Sequence, residues 1–135
     1  MHYKITDIEG IGETYGQRLM EAGIHTTADL LTHCATKHGR EKIAAQCHLP
    51  ESLVLTWVNH ADLMRIKGIA GQMSELLEAA GVDSVPELKH RNAANLHAKL
   101  LEVNDKFGLA GKVPSEHELE AMIAQAKELP PIVKH

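Results

Sequence analysis

The feature that most constrains the fold is an internal repeat, in which residues 66–77 copy residues 8–19 at an offset of 58 positions. The two segments read IKGIAGQMSELL and IEGIGETYGQRL, and they share an aliphatic residue, a glycine, an isoleucine and a final leucine in register. The offset continues without a gap through four later pairs: Gly23 and Gly81, Thr26 and Ser84, Asp29 and Glu87, and Leu30 and Leu88. Two copies of one supersecondary unit are therefore predicted.

In the first copy, the apolar spacing after the glycine turn predicts a helix from about Glu13 to Ala22. Gly23 is expected to end it, because glycine adopts the left-handed conformation of a helix end without a Cβ clash. Thr26 and Asp29 predict a capping box for the next helix, which Gly39 is expected to close.

Pro50 is predicted to open a further helix, since its fixed φ suits a first turn. One face of this helix carries four apolar residues: Leu53, Trp57, Val58 and Ala61. This spacing favours a core position for Trp57 over a role as a stacking platform or interface anchor. Asp62 and Arg65 lie one turn apart and are predicted to pair as a brace to the second copy, with two solvated charges as the alternative.

In the second copy, Ser84, Pro86 and Glu87 predict a helix start with its own capping box. The next helix is marked by an apolar stripe that Gly108 follows: Leu96, Leu100, Val103 and Phe107. Both copies thus combine helix caps with helical apolar spacing.

The last helix is predicted to start at Ser115 with a capping box to Glu118, and Pro130-Pro131 is expected to end it. Aromatic residues make up only 3% of the chain, so its core must be aliphatic side chains packed between helices. The predicted fold class is all-α, as a single compact domain. Repeat one spans about 5–62 and repeat two about 63–129. Residues 130–135 form the tail, in which Ile132 to His135 are expected to be loose.

The first glycine turn resembles the helix-hairpin-helix motif, aliphatic-x-Gly-Ile-Gly-x-x-x-small-x-x-Leu. The matching residues are Ile8, Gly10, Ile11, Gly12, Gly16 and Leu19. In the second copy Ala70 replaces the second glycine and Gly71 follows it, which predicts a turn shifted by one residue. The resemblance implies that backbone N–H groups of the turn and of the following helix N-terminus meet a DNA phosphate, as helix-end electrostatics also favours.

The whole chain, from about Ile5 to Leu129, resembles the bacterial domain-of-unknown-function family 4332. The resemblance is carried by the run WVNHADLMRIKGI at residues 57–69 and by residues 87–99. It implies a tandem helix-hairpin-helix-like fold and brings no established activity or site.

Charge gives mixed support for a nucleic-acid role, because the formal net charge is −4 and each half is mildly acidic. The first turn is flanked by three carboxylates, whereas the second has Arg65 and Lys67 beside it. The candidate nucleic-acid-binding residues are Arg65, Lys67, Gly68, Ile69, Gly71, Gly10, Gly12 and Arg18, with Lys89 and Arg91 as further cations. The alternative is a protein-interaction or scaffolding domain, binding an outside partner or forming a homodimer, with purely structural hairpins.

Motifs for chemistry are missing from the sequence: there is no nucleophile elbow, no phosphate-binding loop and no metal-ligand spacing of the structural zinc type. Cys34 and Cys47 are isolated and are predicted to be reduced, buried thiols. We expect no enzyme activity, no cofactor and no metal. No apolar stretch is long enough to span a bilayer, so no membrane role and a cytoplasmic location are expected.

Overall fold

The computed structural model describes residues 3–135, and within that range the chain forms eight α-helices. They are α1 (Gly12–Glu21), α2 (Thr27–Cys34), α3 (Lys37–Cys47), α4 (Glu51–Leu63), α5 (Gly71–Ala79), α6 (Val85–Leu88), α7 (Ala93–Phe107) and α8 (Glu116–Glu128). A 3₁₀ turn, Ile5–Asp7, precedes α1, and the only β-pairing in the described chain is an isolated bridge between Lys4 and Thr26. The all-α prediction is confirmed.

The buried apolar side chains form two clusters that meet at the end of α4. Leu63 belongs to the second cluster and its neighbour Met64 to the first. The first cluster surrounds Trp57, which is 1% exposed and packs against the Tyr15 ring at a centroid distance of 5.3 Å. The predicted core position of Trp57 is confirmed. Because α4 also contacts α5, the two halves pack directly against each other.

The two halves share their turn hydrogen bonds residue for residue at the offset of 58 positions. Each glycine turn contains three backbone bonds of the same pattern: from the N–H groups of Asp7, Ile8 and Ile11 to the carbonyls of Lys4, Ile5 and Ile8, and from Arg65, Ile66 and Ile69 to Asp62, Leu63 and Ile66. The turn glycines Gly10 and Gly68 have φ values of 87° and 96°, which favour glycine in both copies.

Gly39 does not close a helix, so that prediction was wrong. The second helix already ends at Cys34, and Gly39 lies inside α3, where its N–H donates to the hydroxyl of the capping residue Thr36. A Cβ at Gly39 would overlap the backbone carbonyl of His33. The glycine therefore serves the close corner between α2 and α3 rather than a helix end.

Two details of the second copy also differ from expectation. Phe107 is 58% exposed, because α7 runs past the second cluster, whose last member on this helix is Val103. The hydroxyl of Ser84 accepts the Glu87 N–H, but the Glu87 carboxylate does not close the box and binds the Arg91 guanidinium at 2.8 Å instead. A cation one turn later competes successfully for this carboxylate.

The tail, residues 130–135, is docked and not loose, which corrects the prediction. Val133 is 8% exposed and belongs to the first cluster, although the tail follows the last helix of the second half. The Lys134 N–H donates to the Ala35 carbonyl, and the buried Arg40 guanidinium donates to the Lys134 carbonyl, both at 2.8 Å. The sequence signals of helix termination said nothing about these distant partners.

None of the helices in residues 3–135 combines the length and the apolar character that crossing a bilayer requires.

Candidate binding site at the two hairpins

The two glycine turns, named here the first hairpin (residues 8–12) and the second hairpin (residues 66–71), hold most of the predicted site. Beside the second hairpin, the Arg65 guanidinium donates to the Asp62 carboxylate at 2.8 Å and to the Pro130 carbonyl at 2.7 Å. The predicted Asp62–Arg65 pair is thus confirmed. Asp62 is 1% exposed, so Arg65 neutralises a buried charge.

Asp62 has a second structural task that explains why a carboxylate sits there. In the first half, the N–H of Thr27 at the start of α2 donates to the Tyr3 carbonyl at 3.0 Å. The corresponding N–H in the second half, that of Val85, donates to the Asp62 carboxylate at 3.0 Å. In the second half the residue equivalent to Tyr3 lies inside α4, where the backbone carbonyls accept hydrogen bonds within the helix. A side chain therefore supplies the acceptor.

Helix α8 covers the next peptide of the second hairpin. The Gln125 side chain accepts the Lys67 N–H at 3.0 Å and donates to the Lys67 carbonyl at 3.4 Å. At Gly68 an added Cβ would lie 3.1 Å from the Met122 methyl group. Ile69 is fully buried in the second cluster, whereas Lys67, Gly68 and Ala70 are exposed. The Lys67 peptide is therefore engaged through both of its polar groups, whereas the N–H groups of Gly68 and Ala70 have no partner among the described residues.

Gly71 is the first residue of α5, one position later than the register set by Gly12 at the start of α1. The predicted one-residue shift is confirmed. A Cβ at Gly71 would overlap the backbone carbonyl of Asp7 and lie 3.3 Å from a carboxylate oxygen of Glu9. The backbone of Asp7, just before the first hairpin, and the carboxylate of Glu9 in that hairpin thus pack against the N-terminus of α5, where no side chain caps the helix and negative charge is stabilised.

The first hairpin is open by comparison. Gly10 and Gly12 are exposed, with φ values of 87° and 63°, and a Cβ at either would meet nothing within 4 Å. Arg18 is exposed on α1, with its guanidinium 5.8 Å from the centroid of the Tyr15 ring. Here, in contrast to the second hairpin, glycine serves backbone conformation alone.

The remaining predicted cations do not gather into one patch. Arg91 donates to Glu87 at 2.8 Å and to the Gly81 carbonyl at 2.9 Å, and Lys89 is half-buried. Arg18 lines shallow depressions on the first half together with Glu21. The structure brings Gly68 and Gly71 together in one cleft, and it leaves the other candidates outside that cleft.

That cleft, with a volume of about 690 Å³, lies between the two hairpins and the loop after α7. The 3₁₀ turn contributes Asp7, the first hairpin contributes Glu9, α5 contributes Met73, and the loop contributes Ala110 and Lys112. The sequence predicted a loop at residues 109–113 but did not connect it with a site. The loop is fixed by Asn104, whose amide group exchanges two hydrogen bonds of 2.9 Å with the Ala110 peptide, a role that helical apolar spacing does not indicate.

Among residues 3–135, no group of three or more His, Cys, Asp or Glu side chains is placed to hold a metal ion. Cys34 and Cys47 are buried free thiols, as predicted. Burial raises the pKa of Cys34 to about 11, so its thiol stays protonated and unreactive at neutral pH.

The fold is an all-α domain of two halves with a cleft between their glycine turns. The chain belongs to the family described as Domain of unknown function (DUF4332), whose model matches residues 9–129. This is the family that the sequence resembles in the run at residues 57–69. No curated protein and no solved structure matches the chain.

Proposed function

We propose that this chain is a non-enzymatic protein-interaction module, in which the second hairpin supports the fold and the cleft receives a segment of a protein partner. One observation carries the proposal: the cation and the Lys67 peptide of the second hairpin are engaged within the chain, and a carboxylate of the first hairpin lies at the helix start where a phosphate would bind. Arg65 binds Asp62 and Pro130, the Lys67 peptide binds Gln125, and Glu9 lies at the start of α5.

The free energies of the competing contacts favour the pairing of Arg65 with Asp62 over a contact of Arg65 with a nucleic-acid phosphate. Removing the guanidinium from the buried Asp62 carboxylate costs about 3–5 kcal/mol, the usual range for breaking a buried ion pair. A hydrogen bond between charged groups contributes about 1.5–3 kcal/mol. One phosphate contact therefore does not offset the loss, and Arg65 stays with Asp62.

The chemistry of the cleft suits a peptide segment with apolar and cationic side chains. Tyr3, Met73 and Ala110 supply apolar walls, and Met73 adapts its shape to different neighbours. Asp7 and Glu9 place negative charge on one side of the cleft. The volume lies within the range of about 300–1,000 Å³ that is usual for ligand sites. A Lys or Arg flanked by aliphatic residues would complement this surface.

Selection from a displayed library of random peptides tests the proposal on the full chain. We expect enrichment of peptides with Lys or Arg beside aliphatic residues, and loss of their binding in Glu9→Lys. Glu102→Lys is the matched control, because it makes the same charge change on α7 outside the cleft. Failure to enrich such a class, or equal binding by Glu9→Lys, would contradict the proposal.

The nucleic-acid alternative is tested by titrating single- and double-stranded DNA at low salt and again at about 0.2 M salt, where phosphate-driven affinity falls steeply. We expect no saturable binding. Binding that is lost at the higher salt and in Lys67→Glu would instead support contact through the exposed Lys67 side chain.

A further inference from the structure

We propose that the docked tail exchanges between two copies of this chain, so that the first half of one molecule holds residues 131–135 of another. The receiving groove is formed by Ala35 at the end of α2, the buried Arg40 of α3 and Asn59 of α4. This surface is separate from the cleft between the hairpins, so the proposal is independent of the peptide-binding function.

Arg40 favours an occupied groove, because its guanidinium hydrogen-bonds to the segment that lies there. Its side chain belongs to a residue that is 3% exposed, and its guanidinium donates to three backbone carbonyls: those of Cys34, Ala35 and Lys134. The first two belong to the same half, and the third is supplied by the tail. Withdrawing the tail removes one of these three acceptors from a charged donor, which is unfavourable until water or another carbonyl replaces it.

The tail is an element that can leave without disturbing either core. It contributes one apolar side chain, that of Val133, to the first cluster. Besides the bond from Arg40, its polar contacts are the Lys134 N–H to the Ala35 carbonyl at 2.8 Å and the His135 ring nitrogen 2.7 Å from the Asn59 amide oxygen. Arg65 fixes the Pro130 carbonyl at the base of the tail, so only the residues beyond it need to swing outward. Pro131 stiffens that segment in an extended form.

A second copy is the occupant that fits these contacts, because an identical segment reproduces all of them. Five extended residues reach at most about 17 Å, so the two grooves must face each other across a twofold axis. The tail within one chain competes at an effective concentration in the millimolar range, so exchange should emerge as the protein approaches about 1 mM.

Paramagnetic broadening tests the exchange on full-length chains. One population carries Ile132→Cys with a nitroxide label, which reacts there selectively because the native thiols are buried. The other population is ¹⁵N-labelled and carries no nitroxide. We expect concentration-dependent broadening of the Ala35 and Arg40 amide signals in the ¹⁵N chain. No broadening at about 1 mM would overturn the proposal.

A tail variant separates exchange from non-specific contact. Placing Val133→Asp in the nitroxide-labelled chain should abolish the broadening, since an aspartate side chain cannot enter the first cluster. Val133→Ala, which keeps the pocket apolar, should reduce it partly. Broadening that is unchanged by Val133→Asp would show that the tail does not occupy the groove of the second copy.

Discussion

The two hairpins have the same backbone hydrogen bonds and very different surroundings. In the first, Gly10 and Gly12 stand open to solvent, whereas in the second α8 covers the Lys67 peptide and Gly71 packs against the first hairpin. The cleaner glycine motif is thus the exposed one. In the second hairpin, tertiary contacts have replaced part of what glycine does in the first: Ala70 adopts an extended conformation with a φ of −110°, where Gly12 has a φ of 63°.

A repeated motif therefore need not repeat its function. The basic residues beside the second hairpin made it the better phosphate candidate by sequence. In the fold, Arg65 serves a buried carboxylate and the tail. Charge counted along the chain says how many cations are present and not which of them are free to bind a ligand.

Removing the ion pair between Asp62 and Arg65 should lower the stability of the fold most. Asp62→Ala should lower the free energy of unfolding by about 3–5 kcal/mol, because the Arg65 guanidinium loses its carboxylate partner and the Val85 N–H loses its acceptor. Lys4→Ala, at the equivalent position of the first half, should change it by less than about 0.5 kcal/mol because that side chain is exposed. Urea denaturation measures both, and similar losses would contradict the assigned asymmetry.

The next effect separates the two uses of glycine. Gly71→Ala should cost about 1–3 kcal/mol by forcing the hairpins apart, whereas Gly12→Ala should cost about 1 kcal/mol through backbone strain. Asparagine distinguishes the causes, since it tolerates the left-handed conformation. Gly12→Asn should recover stability relative to Gly12→Ala, and Gly71→Asn should not; recovery at both positions would refute the packing role of Gly71.

A smaller loss of stability is expected when the contact between Gln125 of α8 and the Lys67 peptide is removed. Gln125→Ala should cost about 1 kcal/mol, because the Lys67 N–H and carbonyl lose their partners. Amide hydrogen exchange gives a sharper reading: the Lys67 N–H should be protected in the unaltered chain and exchange fast in the variant. The Glu9 N–H, its counterpart, has no partner among the described residues and should exchange fast in both.

Local signals predicted local structure well, and they failed where a distant partner decides. The Thr26 and Ser115 caps and the burial of Trp57 follow from spacing and side-chain chemistry. The docked tail does not, because its hydrogen-bond partners Asn59, Arg40 and Ala35 lie 76, 94 and 99 positions away in the chain. Gly39 shows the same limit: a glycine needed for a close backbone approach looks identical in sequence to one that ends a helix.

The smallest change in stability should come from the capping boxes. Asp29 completes the box in the first half, whereas Glu87 does not complete the corresponding box in the second half. Hydrogen bonds from the His25 N–H and then from Thr26 hold the pKa of Asp29 below its ordinary value of 3.8, against an opposing effect of burial. A lowered folded-state pKa contributes stability that is present above the unfolded value and is lost as the pH falls through the folded value. Asp29→Asn should therefore flatten the loss of stability below about pH 4.

The matched test is Glu118→Gln, because hydrogen bonds from Ser115 likewise lower the pKa of Glu118 in the box of α8. The two boxes lie in different halves, so their contributions should add in the double variant. Denaturation midpoints from pH 5 to pH 2 give the slopes. If neither substitution reduces the loss of stability at low pH, other carboxylates set the acid sensitivity. The complete box of Asp29 would then stabilise the first half no more than the incomplete box at Ser84 stabilises the second.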